Sequence, residues 1–205
     1  MYKPKCLDLF SKAGGTSMGY HRAGFDVTGV DIQPQKRFPF KFIQADALEY
    51  LEAHWREYDF IAASPPCQAY SLLAYRTKGE YPKLIKELRD ILISSGKPYV
   101  IENVPKAPLL NPIVLCGSMF NLNVRRHRIF ESNFQLFSKE CQHKNFPFPI
   151  DVTGTGGRCP KSRKPQSVKE AQEAMGIDWM IRTELNQAIP PAYTEFIGRQ
   201  IIELI

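Results

Sequence analysis

Short apolar segments alternate with segments of helical periodicity through the first half of the chain, and this alternation limits the possible folds more than any other feature. Strand-like length and apolar content are found in CLDLF, FDVTGVDI, FKFIQAD, YDFIAAS and PYVIENV. Between them, ALEYLEAHW and PKLIKELRDILISS carry apolar residues at helical spacing. The pattern predicts an α/β domain with a mostly parallel sheet and helices on both faces.

Polar residues follow the predicted strands, at the sheet edge where parallel sheets bind their ligands. They are Asp31, Asp46, Ser64 to Gln68, and Glu102 with Asn103. A glycine-rich turn follows the first strand, and Asp31 ends the second. This combination favours a nucleoside-containing cofactor, because backbone amides can approach it and a carboxylate can accept from ribose hydroxyls. The turn does not have the GxGxxG pattern, which makes a dinucleotide cofactor less favoured. The alternative to a cofactor site is an ordinary tight turn with a carboxylate at the end of a strand.

The segment SPPCQAYS, Ser64 to Ser71, follows the fourth predicted strand. Its two prolines stiffen the loop and hold Cys67 at the ligand edge of the sheet. Structural thiols usually lie in apolar surroundings, so we interpret Cys67 as a nucleophile. A packed structural thiol is the alternative for an isolated cysteine, but IENV and RRHRIF follow downstream.

Composition sets broader limits. The 205 residues suffice for one packed domain, and the formal charge of +6 favours a polyanionic partner, with ordinary surface charge as the alternative. Five cysteines form no disulfide scaffold, which fits a reducing cytoplasm. No apolar stretch approaches the roughly 18 to 20 residues of a membrane span, so we expect no membrane association.

Eight motifs occur in the order DLFSKAGG, VDI, QAD, SPPCQ, IENV, RRHRIF, RKPQSVKEAQEAMG and NQAIPPAY. Together they resemble the motifs of DNA cytosine-5 methyltransferases, which use S-adenosylmethionine. The resemblance implies a Rossmann-like methyltransferase fold and methylation of carbon 5 of cytosine in double-stranded DNA. The short chain resembles phage-encoded members more than those of restriction systems, which implies a cytoplasmic location in a prokaryote or a phage-infected host cell.

The resemblance also implies catalytic roles. Cys67 is expected to add to carbon 6 of a flipped-out cytosine, and Glu102 to protonate or hydrogen-bond nitrogen 3. Arg128 is expected to hold oxygen 2, and Arg126 to orient the site or a phosphate. A capped strand-end carboxylate is the alternative for Glu102, and a solvated basic turn is the alternative for RRHRIF.

Two sets of binding residues follow from the matched motifs. The cofactor set is Phe10, Ser11, Ala13, Gly14, Gly15, Asp31, Ile32, Asp46, Ala47, Pro65 and Asn186. The substrate set within the catalytic motifs is Ser64, Pro66, Gln68, Ser71, Asn103 and Val104. Asp46 could instead accept from the start of a helix.

Three residues depart from the family pattern. Asp31 replaces the usual glutamate, Val124 replaces a glutamine, and Lys12 replaces the usual glycine of the cofactor loop. Lys12 is tolerable if its backbone does not demand glycine, with its side chain directed to solvent or to the substrate's phosphates.

The resemblance extends along the whole chain except for residues 131–162, where the family carries its target-recognition region. The chain is therefore expected to consist of a catalytic and cofactor-binding domain (1–130 and 163–205) and a reduced target-recognition insertion (131–162). The target DNA sequence would be recognised by small loops or by a partner protein. The oligomeric state is left open. The expected phosphate contacts, which position a duplex without specifying its sequence, are Arg158, Lys161, Arg163 and Lys164.

Cys141, His143 and Cys159 also belong to this part of the chain. They could bind zinc, but a fourth ligand is not obvious and the spacing matches no standard finger, so no metal is predicted and free thiols are the alternative.

Two other functions compete with DNA methylation. One is methylation of cytosine in RNA or in a free deoxycytidine nucleotide. The other is a non-enzymatic nucleic-acid-binding scaffold, against which the intact nucleophile argues.

Overall fold

The computed structural model describes residues 2–70, 82–153 and 161–205. Within these residues, seven strands form one sheet in the order β3-β2-β1-β4-β5-β7-β6. The strands are β1 (Lys5–Leu9), β2 (Asp26–Asp31), β3 (Lys41–Gln44), β4 (Phe60–Ala63), β5 (Tyr99–Asn103), β6 (Ile113–Leu115) and β7 (Arg128–Ser132). Strands β1 to β5 pair in parallel, and β7 runs antiparallel to both β5 and β6.

The mostly parallel sheet confirms the prediction, and each of the five predicted strands overlaps one of β1 to β5. The two strands at the far edge were not predicted. β6 has only three residues, too few to show a period. β7 carries a buried glutamate, Glu131, where an apolar residue would have signalled a strand.

Helices cover both faces of the sheet, as predicted. They are α1 (Gly15–Ala23), α2 (Ala47–His54), α3 (Ile85–Ser95), α4 (Val168–Met175), α5 (Arg182–Leu185) and α6 (Pro191–Ile201). On one face, Tyr20 of α1 and Tyr193 of α6 pack in a hydrophobic cluster with Phe60 of β4. On the other face, Leu51 of α2 and Leu88 of α3 pack in a second hydrophobic cluster with Leu7 of β1. Successive strand side chains point to opposite faces of the sheet, so one strand contributes to both clusters.

Helix α6 packs directly against α1, and this contact brings the end of the chain to the first motif. A Cβ atom at Gly19 would lie 1.9 Å from Thr194 Oγ1 and 2.2 Å from the carbonyl oxygen of Pro191, so the close approach requires glycine. Trp179 Nε1 also donates to the carbonyl oxygen of Ala13 over 2.9 Å. The carboxyl-terminal segment is thereby fixed beside the glycine-rich turn.

The expected boundary between residues 130 and 131 falls inside β7. Glu131 is buried and accepts from Arg89 of α3, with Nε–Oε1 at 2.6 Å and Nη2–Oε2 at 2.7 Å. Ile150 and Val152 belong to the same hydrophobic cluster as Met175 of α4. Glu131, Ile150 and Val152 of the segment 131–162 therefore contact elements of the expected catalytic domain, and the division into domains stays a prediction. Among the described residues, no helix has the length and apolar character needed to cross a membrane.

Candidate active site

A cavity of about 660 Å³ lies at the carboxyl ends of β1, β2, β4 and β5, the edge where the sequence predicted a site. Its wall contains residues from the predicted cofactor, catalytic and substrate sets. Those residues are Phe10, Ser11, Ala13, Gly15, Asp31, Ile32, Asp46, Ala47, Ser64, Pro65, Pro66, Cys67, Gln68, Glu102, Arg126, Arg128 and Asn186. The nucleophile loop and the glycine-rich turn therefore share one cavity.

Several predicted residues do not line this cavity. Asn103 lies behind the nucleophile loop, where its Nδ2 donates to the carbonyl oxygen of Pro65 over 2.9 Å and its Oδ1 accepts from the amide of Val104. Gly14 has a positive φ of 84° and shapes the turn beside the ring of Phe38. The remaining described members outside the cavity wall are Val104, Lys161, Arg163 and Lys164. Ser71, Arg158 and Cys159 lie outside the described residues.

Glu102 and Arg128 form the polar centre of the cavity beside Cys67. Glu102 is buried at the end of β5, and its Oε1 lies 3.1 Å from Arg128 Nε. Burial raises the pKa of Glu102, and the opposing charges of Arg128 and Arg126 only partly offset this effect. Burial also raises the pKa of Cys67, and the nearby Glu102 raises it further. At neutral pH the thiol form of Cys67 therefore predominates in the protein without substrate.

Arg126 connects two distant segments instead of facing solvent. Its Nη1 donates to the carbonyl oxygen of Val152 over 3.0 Å, and its Nη2 donates to that of Asn186 over 2.8 Å. Burial, together with the charge of Arg128, lowers the pKa of Arg126 to about 9. Arg126 is 5% exposed, so RRHRIF is not a solvated basic turn. These contacts fit an orienting role better than a phosphate contact.

The cofactor half of the cavity is organised around Asp31. Its Oδ2 accepts from the amide of Lys12 over 3.1 Å, and its Oδ1 accepts from the amide of Gln33 over 3.0 Å. The ammonium group of Lys12 lies 3.7 Å from Oδ2 of the same carboxylate. The contact with Asp31 was not expected from the sequence, although the Lys12 side chain is also 49% exposed to solvent. The φ of Lys12, 47°, lies in the left-handed region that favours glycine.

Asp46 serves as the N-cap of α2, since its Oδ1 accepts from the amides of Leu48 at 2.9 Å and Glu49 at 3.2 Å. The alternative interpretation of Asp46 is thus confirmed, and the adenine contact expected for it stays a prediction. A cap on one carboxylate oxygen does not prevent the same group from accepting a second hydrogen bond.

Four buried polar atoms in the cavity wall have no hydrogen-bond partner within the protein. Glu102 Oε1 and Arg126 Nε lie at the polar centre beside Cys67, and the other two are Ser11 Oγ and Asn186 Oδ1. Buried polar atoms are normally paired, so these atoms indicate that a polar ligand completes the site. Phe10 and Ile32 add apolar surface beside Asp31. Together with the amides of the glycine-rich turn, this donor set fits the amino acid, ribose and base of a nucleoside cofactor such as S-adenosylmethionine.

The family model for C-5 cytosine-specific DNA methylases matches residues 4–108, just over half of the chain and the part that contains the turn, Cys67 and Glu102. The chain belongs to this family. Its match to the model ends before the arginine segment and the closing motif, which the structure brings to the same cavity.

Curated relatives of this C-5 cytosine-specific DNA methylase family member are longer than the chain. Type II methyltransferase M1.HphI of Haemophilus parahaemolyticus is 33% identical over 49% of the chain and 32% of the relative. Type II methyltransferase M.FnuDI of Fusobacterium nucleatum is 35% identical over 73% of the chain and 51% of the relative. The chain therefore spans about half, or less, of the length of the relatives it matches.

Solved structures with a similar fold match the chain over nearly its whole length. A protein described as a DNA modification methyltransferase encoded within an E. coli prophage has a TM-score of 0.68 at 15% identity, and the match covers 98% of this chain and 99% of the other. The S. pombe Dnmt2 methyltransferase has a TM-score of 0.64 at 12% identity, with 99% of each chain covered. These similarities confirm the Rossmann-like methyltransferase fold.

The segment after α4 contributes more of the cavity wall than the sequence analysis identified. Asn186 was predicted there, but the wall also contains Met180, Thr183, Glu184, Gln187, Ala188 and Ile189. Gln187 to Ile189 belong to the recognised motif NQAIPPAY, so the motif carried the signal although the individual residues were not chosen. Arg37 holds Glu184 through a 3.0 Å ion pair and links this segment to the loop after β2.

Proposed function

We propose that this protein transfers a methyl group from S-adenosylmethionine to carbon 5 of cytosine in double-stranded DNA through a covalent adduct with Cys67. The observation that carries the proposal is the shared cavity, in which Cys67, Glu102 and Arg128 lie together with Asp31 and the glycine-rich turn. The names of the relatives, which are Type II methyltransferases, support a DNA substrate.

The order of bond changes follows from the chemistry of the base. Carbon 5 of cytosine is a weak nucleophile, so the Cys67 thiolate first forms a bond to carbon 6 and the electrons of the 5,6 double bond move to carbon 5. Carbon 5 then takes the methyl group. Loss of the proton from carbon 5 and elimination of the Cys67 thiolate restore the double bond. S-adenosylmethionine, when bound, would supply the electrophilic methyl group by cleavage of its sulfur–methyl bond and would leave as S-adenosylhomocysteine.

Glu102 and Arg128 assist the addition by drawing electrons toward the other side of the ring. Burial raises the pKa of Glu102, which supports a proton on this carboxyl when nitrogen 3 needs one. Arg128 Nε lies 3.1 Å from Glu102, within reach of a base that contacts both groups, and we assign it to oxygen 2. Asn103 acts indirectly, because its bond to Pro65 fixes the loop that carries Cys67.

The target atom is inaccessible in a base-paired duplex, so the cytosine has to leave the stack, at a cost of a few kcal/mol that protein contacts to the strands must offset. The formal charge of +6 supplies long-range attraction to DNA. We assign the choice of sequence to the segment 131–162, with or without a partner.

The decisive experiment measures methyl transfer from labelled S-adenosylmethionine to duplex DNA, RNA and free deoxycytidine nucleotides in parallel. We expect transfer to DNA, with the sites identified by bisulfite sequencing. Cys67→Ser should abolish transfer but leave cofactor binding almost unchanged, because a serine hydroxyl loses its proton far less readily than a thiol and gives a weaker nucleophile. Cys159→Ser is the matched control and should stay active.

A covalent trap tests the same assignment independently. DNA with 5-fluorocytosine at the target should capture Cys67, since fluorine cannot leave as the carbon 5 proton does. An adduct mapped by mass spectrometry to another residue, or turnover retained by Cys67→Ser, would refute the covalent mechanism. Transfer to RNA or nucleotides alone would refute the DNA substrate.

A further inference from the structure

Two cysteines and two histidines from separate parts of the chain meet beside the far edge of the sheet. Cys116 directly follows β6, His127 directly precedes β7, and Cys141 and His143 lie in the segment after β7. One ligand atom from each of the four residues lies within 4.8 Å of all the others. Cys141 and His143 were considered from the sequence as zinc ligands together with Cys159, whereas Cys116 and His127 were not.

We propose that Cys116, His127, Cys141 and His143 form a tetrahedral zinc site. Cys116 Sγ lies 3.4 Å from His143 Nε2, and Cys141 Sγ lies 3.5 Å from His127 Nε2. A tetrahedral zinc ion with bonds of about 2.3 Å to sulfur and about 2.0 to 2.1 Å to nitrogen separates those ligand atoms by about 3.5 Å. Two thiolates with two imidazoles are a donor set that selects zinc over the hard cations.

The surrounding contacts orient the ligands as outer partners do in metal sites. Ser118 Oγ lies 3.4 Å from Cys116 Sγ and accepts from the amide of Gln142 over 3.1 Å. Arg125 donates to the carbonyl oxygen of His143 over 3.1 Å. The two imidazole rings are perpendicular, with centroids 5.1 Å apart, so each presents an edge nitrogen to the cluster.

A metal at this position would stabilise a segment that has too few buried residues to be held by hydrophobic packing. From residue 137 to residue 148 none of the residues is buried, so this part of the chain contributes little to a hydrophobic core. A zinc ion would attach this segment to β6 and β7. The free energy of zinc binding would then replace the stabilisation that apolar burial usually supplies. Four protein ligands leave no open position, which indicates a structural ion and not a catalytic one.

The site also lies close to the catalytic arginines. His127 stands between Arg126 and Arg128 in the chain, and Arg128 Nη1 donates to the carbonyl oxygen of His127 over 2.8 Å. Coordination of His127 would restrain the backbone between the two guanidinium groups. The ion would thus connect the proposed target-recognition segment with the wall of the active site.

Zinc content of the full chain, produced without a metal-affinity tag and kept in reductant without chelators, tests the site. We expect about one zinc ion per chain. Cys141→Ser should lose the ion, and because Cys141 is exposed this variant should still fold and bind S-adenosylmethionine. His143→Asn should behave in the same way. Cobalt in place of zinc should give the absorption of a tetrahedral thiolate complex.

Matched controls use two cysteines and one histidine outside the proposed site. His54→Asn, Cys67→Ser and Cys159→Ser should each retain the full zinc content. A wild-type chain without zinc after supplementation would overturn the site, as would zinc retained by both Cys141→Ser and His143→Asn. Loss of zinc in Cys159→Ser would overturn this ligand set. Two thiols missing on titration of the denatured, unreduced protein would instead indicate a Cys116–Cys141 disulfide.

Discussion

Lys12 occupies a backbone conformation that favours glycine, beside the carboxylate proposed to hold the cofactor ribose. Its φ is 47°, and its ammonium group lies 3.7 Å from Asp31 Oδ2. Half of the Lys12 side chain is exposed, so the ion pair is weak and screened by solvent. It still competes for an oxygen that ribose hydroxyls would need. Lys12 therefore affects both the stability of the loop and the affinity of the cofactor site.

Lys12→Gly should bind S-adenosylmethionine more tightly than the wild-type protein. Removing a surface ion pair of up to about 1 kcal/mol frees Asp31 for the ribose and corresponds to an improvement in Kd of up to about fivefold. Glycine also adopts the left-handed conformation without strain, so the free energy of unfolding should not fall. Isothermal titration calorimetry and urea denaturation measure the two effects.

Lys12→Ala separates the two causes. It removes the same ion pair but keeps a side chain in the left-handed conformation, so its cofactor affinity should match that of Lys12→Gly while its stability is lower. Weaker cofactor binding in both variants would mean that the lysine contacts the cofactor itself, and the competition for Asp31 would be rejected.

At the scale of elements, a single buried carboxylate joins helix α3 to strands β5 and β7. Glu131 accepts from Arg89 at 2.6 Å and 2.7 Å, and its Oε2 also accepts from the amide of Leu110 over 2.7 Å. The hydroxyl of Tyr99 on β5 lies 3.4 Å from Oε1. Because β5 also ends in Glu102 and Asn103, this network supports a strand on which the proposed chemistry depends.

Arg89→Met should destabilise the protein strongly. The arginine is 12% exposed and Glu131 is 2% exposed, so the substitution leaves a buried carboxylate without its charge partner, at a cost of about 3 to 5 kcal/mol. Lys86→Met on the same helix is the control, since its pair with Asp90 is largely exposed and should contribute less than about 0.5 kcal/mol. Urea denaturation measures both, and equal effects would refute the importance of the buried pair.

At the scale of the whole molecule, the parallel half of the sheet and the location of the site could be predicted from sequence. Parallel strands end at one edge, so Asp31, Asp46, Cys67 and Glu102 had to lie near one another once five strands were recognised. The ordered motifs added the roles. Local periodicity and spacing carry this information directly, which explains why it could be read without any knowledge of tertiary contacts.

The remaining features depend on contacts between distant segments. Cys116 and His127 meet Cys141 and His143 because β6 and β7 pair antiparallel, and these strands had no clear signal in the sequence. The direction of the Lys12 side chain depends likewise on the approach of the first turn to the end of β2. Spacing within one segment cannot predict such contacts.

Two residues of the expected phosphate-binding set also have partners that their sequence neighbours do not reveal. Arg163 Nη1 lies 3.1 Å from Glu170 Oε2, and Lys164 Nζ lies 2.9 Å from Asp151 Oδ2. Their side chains are 49% and 39% exposed. The Arg163–Glu170 pair is partly exposed on both sides and contributes only about 0 to 1 kcal/mol, so a DNA phosphate can replace Glu170. The Asp151 side chain is 5% exposed and holds Lys164 more firmly.

Neutralising the basic stretch should weaken DNA binding about equally on all sequences without changing the set of methylated sites. The logarithmic salt dependence of the binding constant should become shallower by about 0.9 for each DNA phosphate that the protein no longer neutralises. Because Arg163 and Lys164 must leave acidic partners first, we expect this pair to contribute less to the slope than two unpaired cations would. Arg158 and Lys161 are varied as the second pair. Binding measured by anisotropy over a range of salt concentrations, with alanine at each pair and at all four positions, separates the contributions.

A control with the same change in net charge as each double variant keeps this prediction specific to the stretch. Lys86→Ala with Arg199→Ala removes two cations that also form exposed ion pairs, on α3 and α6, and should leave the salt slope nearly unchanged. An equal decrease in the control would mean that total charge alone governs binding. An unchanged slope in the fourfold variant, or a change in which cytosines are methylated, would show that this stretch is not a phosphate clamp, and the residues that hold the duplex would have to lie elsewhere.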